Sequence, residues 1–290
     1  MQERVIFSVI VPFRNELPHI AACIESLQGQ SIERSQYELL FVDNGSTDGA
    51  GDTICGVPGV TLIREDKPGS YIARNAAIRV AAGRFLAFTD ADCVADPDWL
   101  AQAQAAIQAT GVAVVLGRRV VPASSSLAVR LLQDYDDTKM DFMIRSPSRF
   151  TYGFCSNMII RADVVRDVGL FDEWERAADT AYLHRVRHRN PGYRVVYWPA
   201  MRVTHLEVRT VSQALRKMAV YGASNTRPAR HMGYSPLDMG RSWELWRMWR
   251  KNRRYHIGHR LLLFTLLLAG GLLYKMGEMK GRLCRRWMGP

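Results

Sequence analysis

Residues 85–93 read Phe85-Leu-Ala-Phe-Thr-Asp-Ala-Asp-Cys93, an apolar run followed by two carboxylates, Asp90 and Asp92. The apolar part predicts a buried strand, which places the two acids at its carboxyl end. Two acids separated by one residue offer the oxygen ligands that suit Mg²⁺ or Mn²⁺ carrying a diphosphate. A solvated turn is the alternative, because Asp is common in turns. The rest of the chain has to decide between these readings.

Three further apolar runs precede this one, at residues 7–11, 39–42 and 60–63. Helical patterns lie between them, the first with apolar residues at Ile20, Cys23, Ile24 and Leu27. A helix after residue 70 is expected to bury Ile72, Ala76 and Val80. Since strands and helices alternate, the first 120 residues predict a doubly wound α/β domain with a mainly parallel sheet.

Polar side chains follow each predicted strand of this region. They are Arg14, Asn15, Glu16, Asp43, Arg64 and Asp90. Ligands of such sheets bind beyond the carboxyl ends of the strands, so one shared crevice is expected. Local alternatives exist, because Asn15 and Glu16 can start a helix and Asp43 can shape a turn.

The phosphate-binding motifs of dinucleotide folds and P-loops are absent from the sequence. No Gly-x-Gly-x-x-Gly follows the first strand, and no Gly-x-x-x-x-Gly-Lys-Ser/Thr occurs. A bound diphosphate would therefore have to be neutralised by a metal ion and basic side chains. The metal ion could be bound through Asp90 and Asp92, and the basic side chains could be those of Lys67 and Arg74.

The region after residue 121 is less regular. It predicts helices at 126–141 and up to 168, strands at 157–161 and 194–198, and a helix that begins near Asp179. Asp179 is explained equally well as an N-terminal helix acid that the helix dipole stabilises.

Several motifs of these elements stand in a fixed order. They are Val9-Ile-Val-Pro-Phe-Arg-Asn-Glu16, Val42-Asp-Asn-Gly-Ser-Thr-Asp48, Pro68-Gly-Ser-Tyr-Ile-Ala-Arg-Asn75, Thr89-Asp-Ala-Asp92, residues 153–161, Val168-Gly-Leu-Phe-Asp-Glu173 and Asp179. The ordered set resembles family 2 glycosyltransferases over residues 5–225. The resemblance implies a GT-A fold, a nucleotide-diphosphate sugar as donor, Mn²⁺ or Mg²⁺ as cofactor and, as in most members, inversion of the anomeric centre.

The resemblance also implies roles for individual residues. The donor pocket would contain Pro12, Arg14, Glu16, Asp43, Lys67, Gly69, Arg74, Asp90 and Ala91. Asp43 would hydrogen-bond the base, and Asp90 would face the ribose or sugar. Asp92 would bind the metal, and His205 resembles a downstream histidine that joins the metal or diphosphate in some members. A structural His205 is the alternative. Asp179 resembles the catalytic base.

Two departures from the family pattern matter. The family often has an acid directly before the base, whereas Ala178 stands here, so Glu173 and Glu175 stay candidates for the proton transfer. No Gln-x-x-Arg-Trp follows Asp179, and this motif marks processive synthases. A single-addition enzyme is therefore expected. A sugar nucleotidyltransferase and a catalytically silent nucleotide-sugar-binding adaptor are the alternatives, the second encouraged by Ala178.

The positive charge is concentrated at the C-terminus. The chain has a formal net charge of +11, and residues 241–290 hold twelve Lys/Arg and two Glu. These charges are interleaved with Trp243, Trp246 and Trp249 and with a leucine run. Basic and aromatic residues in this mixture indicate an anionic membrane surface and not nucleic acid.

Residues 261–274 contain no charge and predict a helix of ~21 Å, shorter than the ~30 Å hydrocarbon core. We expect an interfacial or re-entrant segment, with a transmembrane helix and a soluble packing helix as alternatives. The predicted organisation is a GT-A domain at 1–225, with a nucleotide-sugar half at 1–120 and an acceptor half at 121–225, followed by a membrane-association segment at 226–290. Since the chain starts without a signal-peptide pattern, we expect it on the cytoplasmic side of the membrane, with a UDP-sugar donor and a lipid-linked or glycan acceptor.

Overall fold

The structure, a computed structural model, describes residues 5–145, 153–207, 210–224, 246–247, 249 and 255–287. The chain divides into two compact units. One comprises Met1–Val120 and Thr151–Leu206, and the other comprises Val121–Phe150 and Glu207–Pro290. The predicted domain boundary at residue 225 stays a prediction.

The elements of the first part of the chain alternate as the sequence predicts. They are β1 (Phe7–Phe13), α1 (Leu17–Gln28), β2 (Tyr37–Asp43), α2 (Ala50–Ile54), β3 (Val60–Arg64), α3 (Ser70–Val80) and β4 (Phe85–Thr89). The four strands pair in parallel in the order β3-β2-β1-β4. Every residue of β1 is buried, as expected for a strand at the centre of a doubly wound sheet.

The remaining elements extend the sheet and add helices. They are β5 (Cys93–Ala95), α4 (Trp99–Thr110), β6 (Val114–Val120), α5 (Leu127–Arg145), β7 (Asn157–Arg161), α6 (Ala162–Val168), α7 (Ala178–Arg189), β8 (Val195–His205), α8 (Val211–Ser224) and α9 (Ile257–Trp287). The full strand order is β3-β2-β1-β4-β7-β6-β8-β5. β7 is antiparallel to β4 and β6, β5 is antiparallel to β8, and β6 is parallel to β8. The predicted α/β fold with a mainly parallel sheet is confirmed.

The buried faces of the helices agree with the sequence pattern in α1 and differ from it in α3. Ile20, Cys23, Ile24 and Leu27 of α1 are all buried. In α3, however, Val80 is 60% exposed, so the predicted apolar face is wrong at its end. The buried face of α3 carries Tyr71, Arg74 and Asn75 instead. Periodicity of apolar residues alone cannot find a helix face that is buried through polar contacts.

Asn157 joins the strands of the mixed half of the sheet. Its amide nitrogen donates to the carbonyl oxygens of Arg118 and Met201, both at 2.9 Å, and its oxygen accepts from the indole of Trp99 at 2.8 Å. The side chain is fully buried and lies against Gly117, where a Cβ would overlap it. Pairing of β6 with β8 shifts register between Gly117 and Arg118, so Asn157 satisfies carbonyl groups at this irregularity.

In the second unit, α9 packs against α8 through small residues. A Cβ added to Gly222 would overlap the carbonyl oxygen of Tyr274, and one added to Gly277 would overlap that of Ala219. Backbones approach this closely only where side chains are absent or small. At the other end of α9, Leu263 is buried together with Leu131 of α5 and Trp249.

α9 is longer than the apolar segment that the sequence indicates. It continues without a break over 31 residues, so the re-entrant reading, which requires the chain to reverse direction, does not fit it. Over Ile257–Gly281 the helix is long and apolar enough to cross a membrane. Trp243 and the basic residues at 250–254 lie outside the described residues.

Candidate active site

The loops after β1 and β2 are joined by hydrogen bonds. Asn15, in the left-handed region at φ 58°, accepts from the backbone of Thr47 at 2.8 Å. Asp48 accepts from the backbone of Leu17 at the start of α1, also at 2.8 Å. Asp43 accepts from the backbone of Ser46 at 2.8 Å, so it shapes its turn while it stands at the end of β2. The turn reading and the site reading of this loop are therefore compatible.

The predicted residues of the first loop differ in exposure. Pro12 is buried within β1, and Arg14 is exposed. Glu16 is half-buried and lies 3.0 Å from Nδ1 of His19. Glu16 also precedes α1, so the helix-start reading of this residue describes its backbone correctly.

Asn44 organises the loop that carries Lys67 and Gly69. Its side chain is buried, donates to the carbonyl oxygens of Glu65 and Lys67 at 2.8 Å each, and accepts from the backbone of Gly69 at 2.7 Å. The sequence alone predicts no separate role for Asn44. Its position directly after Asp43 at a strand end was the available signal.

Gly69 and Lys67 both border the start of α3. Gly69 has φ 141°, a conformation that L side chains rarely adopt, and an added Cβ would lie 3.0 Å from Cδ1 of Ile72. The ammonium group of Lys67 pairs with Glu173 on the loop before α7. Both groups are largely exposed, so this pair contributes little to stability. It does bring a donor-side residue together with one candidate for the proton transfer.

Arg74 connects α3 with the carboxylates after β4. Its guanidinium pairs with Asp90, and its side chain is only 6% exposed. Nε of Arg74 is buried and has no hydrogen-bond partner among the residues that the structure describes. Ala91, next to Asp90, is buried. A buried cation with a remaining donor suits a site for an anionic group such as a diphosphate.

Asp92 and His205 meet because β5 pairs with β8. In this antiparallel pairing Cys93 is opposite His205, and Leu206 donates its backbone N–H to the carbonyl oxygen of Asp92 at 2.8 Å. Nδ1 of His205 lies 3.4 Å from Oδ2 of Asp92. The ligand atoms of Asp92, Cys93 and His205 all lie within 4.8 Å of one another.

The donor set favours a divalent ion through Asp92 and His205. The Asp92 carboxylate suits Mn²⁺ and Mg²⁺ and a thiol does not, because these ions prefer hard oxygen ligands, and the softer imidazole of His205 fits Mn²⁺ better than Mg²⁺. Burial, followed by the negative charges of Asp92 and Asp90, raises the pKa of the Cys93 thiol well above its usual value. The two oxygen and nitrogen donors therefore fit the predicted metal, with further positions left to a diphosphate.

Asp179 lies in the first turn of α7, in an environment unlike that of Asp92. Oδ1 accepts from the backbone of Thr180 at 2.7 Å, and Oδ2 accepts from the backbone of Cys155 at 3.3 Å. Burial raises the pKa of Asp179, while these N–H groups, the Arg74 charge and a hydrogen bond from Tyr71 oppose the increase. The net effect is a carboxylate that accepts a proton more readily than an exposed one.

The buried face of α3 contacts both groups of carboxylates. Arg74 pairs with Asp90, and Tyr71 interacts with Asp179. Asn75 forms two hydrogen bonds with the backbone of Phe171, at 2.9 and 3.0 Å, and so joins α3 to the loop before α7. Tyr71 and Asn75 lie within the motif at residues 68–75, but the sequence alone predicts no role for them.

The residues around Asp179 bear on whether Glu173 or Glu175 could take the proton in its place. Ala178 is fully buried at the start of α7. Glu173 is paired with Lys67, and Glu175 is exposed. Asp179 is held by two backbone N–H groups, and burial raises its pKa.

The strand order and the acids gathered at the strand ends fit the predicted class of α/β transferases. Residues 8–169 match the model of glycosyl transferase family 2, and the chain belongs to that family. The predicted family is thereby confirmed. Among curated proteins, the glycosyltransferase AglE of Haloferax volcanii is 34% identical over 192 residues. That alignment covers 60% of this chain and 62% of the archaeal protein, so the chain spans under two thirds of this relative.

Solved structures agree on the fold. The mannosyltransferase PcManGT from Pyrobaculum calidifontis, in complex with GDP-Man and Mn²⁺, is 20% identical with a TM-score of 0.63, covering 92% of this chain and 74% of its own. TarS 1–349 of S. aureus with UDP-GlcNAc is 20% identical with a TM-score of 0.53, covering 91% and 72%. These likenesses confirm the predicted GT-A architecture.

Proposed function

We propose that the protein is an inverting, metal-dependent glycosyltransferase that moves one sugar from a nucleotide-diphosphate sugar to a lipid-linked or glycan acceptor at the cytoplasmic face of the membrane. The observation that carries the proposal is the separation of two kinds of carboxylate. Asp90 and Asp92 lie beside Arg74 and His205, whereas Asp179 is held by backbone N–H groups.

On the donor side, the residues would bind the nucleotide and its diphosphate. Asp43 and the loops beside it stand at the strand ends where ligands of such sheets bind. Arg74 would contribute positive charge through a guanidinium that Asp90 already orients. A divalent ion held by Asp92 and His205 would absorb charge on the leaving diphosphate. Two relatives in fold were solved with GDP-Man and Mn²⁺ and with UDP-GlcNAc, which supports a nucleotide-sugar donor and leaves its base open.

On the acceptor side, Asp179 would take the proton of the attacking hydroxyl group. The acceptor oxygen then bonds to the anomeric carbon as the bond to the diphosphate oxygen breaks, and the proton resides on the Asp179 carboxylate. The raised pKa of Asp179 favours this transfer. One displacement of this kind inverts the configuration at the anomeric carbon.

A thermal-shift panel of nucleotide sugars with and without Mn²⁺ tests the donor side. One donor is expected to raise the melting temperature in a Mn²⁺-dependent way, because a ligand that binds only the native state stabilises it. Asp92→Asn should remove the Mn²⁺ dependence. Equal shifts with and without the ion would contradict the metal assignment.

Transfer of the sugar identified in this way to extracted lipids tests the reaction itself, with the product anomer read by NMR. An inverted anomer is expected. Donor binding without transfer to any extracted lipid or glycan would instead favour a silent adaptor, and release of pyrophosphate from a nucleoside triphosphate and a sugar phosphate would favour a nucleotidyltransferase.

A further inference from the structure

One face of α9 exposes large apolar side chains along most of the helix. They are Ile257, Leu261, Phe264, Leu268, Leu272, Met276 and Met279, and we call them the apolar stripe. Their spacing of three or four residues keeps them on one side of the helix over ~33 Å. Ile257 and Leu272 are 69% and 68% exposed, values that are unusual for large apolar residues of a folded unit.

The opposite face of α9 is covered by the protein itself. Leu263 is fully buried with Leu131 of α5, and Gly277 lies against the backbone of α8. The apolar stripe is therefore not a consequence of a helix without neighbours. The helix uses one face for packing. On the stripe side, among the residues that the structure describes, the ring of Trp246 lies 5.4 Å from that of Phe264, while Ile257, Leu261, Leu268 and Leu272 stay more than half exposed.

The neighbours of α9 carry charges, which argues against a spanning helix. Asp134 of α5 accepts a hydrogen bond from the indole of Trp249 at 2.8 Å, within the cluster that buries Leu263. α8 exposes Arg216, and its Lys217 pairs with Glu207 at 2.6 Å. Each charge at the centre of a bilayer costs about 3 kcal/mol on insertion scales. A bilayer that enclosed α9 would also enclose parts of these neighbours.

The charge of α9 favours a lipid surface over a second copy of the chain. Within Ile257–Trp287 the sequence has six Lys/Arg and one Glu. Lys275, which is 54% exposed and pairs with Glu278 at 2.8 Å, lies on the same side as the apolar stripe. Two copies that joined their stripes would bring like charges together, whereas acidic headgroups would neutralise them.

We propose that α9 lies in the plane of an anionic bilayer surface, with the apolar stripe inserted among the acyl chains and α5 and α8 on the aqueous side. The proposal rests on the proposed function for the reason why the protein would be held at a membrane. The binding itself is testable apart from any transfer activity.

The first experiment measures partition of the full chain into vesicles of phosphatidylcholine with about one third phosphatidylglycerol, by sedimentation. The variant Leu261→Gln/Leu268→Gln/Leu272→Gln should bind at least about 30-fold more weakly, because three apolar side chains lose their acyl contacts. Val80→Gln removes an apolar side chain that is 60% exposed on α3, and this matched control should bind like the wild type. Wild-type protein that stays in the supernatant would overturn the proposal.

The electrostatic part has its own variant. Lys275→Gln/Lys280→Gln should weaken binding to the anionic vesicles about tenfold, since each basic residue near such a surface contributes about 1 kcal/mol. Binding to pure phosphatidylcholine should stay unchanged. A stable dimer by light scattering that dissociates in the triple Leu→Gln variant, with no vesicle binding by the wild type, would assign the stripe to a second copy instead.

The orientation is decided by spin labels at positions 261, 268, 272 and 279 in a Cys55→Ser/Cys284→Ser background. Collision rates with oxygen and with a water-soluble nickel complex report the depth of each label. An in-plane helix predicts the same depth at all four positions. A depth that increases towards one position and decreases again would show a spanning helix. Donor binding measured without vesicles reports separately on the proposed transferase function.

Discussion

The two halves of the sheet position their functional side chains in different ways. In the parallel half, Asp43 ends β2 and accepts from the nearby Ser46 N–H, and Asp90 directly follows β4 and pairs with Arg74 of the preceding helix. In the mixed half, Asp92 meets His205 only through the pairing of β5 with β8, more than a hundred residues apart. The first arrangement is readable from strand ends, and the second depends on long-range register.

The carboxylates of the two regions also differ in their surroundings. Asp90 is paired with a buried guanidinium, while Asp179 is held by backbone N–H groups in a place where burial raises its pKa. The two carboxylates therefore differ in their contacts, which supports the separate roles proposed for them.

Loss of the proposed base should have the largest effect. Asp179→Asn keeps the size of the side chain and removes its ability to take a proton, so we expect kcat to decrease about 10²- to 10⁴-fold, as for general bases elsewhere. Steady-state kinetics with the identified donor measure this. Glu175→Gln, a change at an exposed acid of the loop before α7, is the control. A greater decrease of kcat in Glu175→Gln than in Asp179→Asn would assign the role of the base to Glu175.

Replacement of Asn157, which joins the strands of the mixed half, should have the next largest effect. Asn157→Leu leaves the Arg118 and Met201 carbonyl groups and the Trp99 indole without partners, and each buried polar group of this kind costs ~1–3 kcal/mol. We expect the free energy of unfolding to decrease by about 3–5 kcal/mol in urea titrations.

Gln102→Leu is the matched control for Asn157→Leu. Gln102 also accepts from an indole, that of Trp198 at 3.2 Å, but in a half-buried place. We expect Gln102→Leu to lower the free energy of unfolding by less than about 1 kcal/mol. Equal losses in the two variants would mean that Asn157 has no special part in the mixed half.

Much of the parallel half was predictable from the sequence, because apolar runs that end in polar turns mark buried parallel strands. The register that brings His205 to Asp92 was not predictable, since β5 has only three residues and carries little pattern. The buried polar face of α3 was missed for a related reason. Arg74 and Asn75 are buried through partners that are distant in sequence, Asp90 and Phe171.

The smallest predicted effect concerns the pH profile. Tyr71 lowers the pKa of Asp179 through a hydrogen bond, so Tyr71→Phe should raise it further and move the acid limb of kcat/KM to higher pH. The charged group that faces Asp179 in the structure, Arg74, is unchanged by this substitution. The plateau rate should decrease less than about fivefold, because one hydrogen bond is lost.

Tyr182→Phe provides the control for Tyr71→Phe. Both rings pack against Phe171, with centroid distances of 5.8 Å for Tyr71 and 4.6 Å for Tyr182. The Tyr182 hydroxyl is buried and has no hydrogen-bond partner among the described residues. Its removal should leave the acid limb where it is. A shift of the same size in both variants would indicate a packing effect and not a hydrogen bond to the base.

In the proposed reaction Asp92 and His205 bind the metal and the donor, and Asp179 accepts the proton of the acceptor hydroxyl group. Isothermal titration of the identified nucleotide sugar, with and without Mn²⁺, tests it most directly. Asp92→Asn should lose the Mn²⁺-dependent gain in affinity, about 10- to 100-fold, whereas Asp179→Asn should keep it within about twofold. Loss of that gain in Asp179→Asn, or its retention in Asp92→Asn, would contradict the assignment.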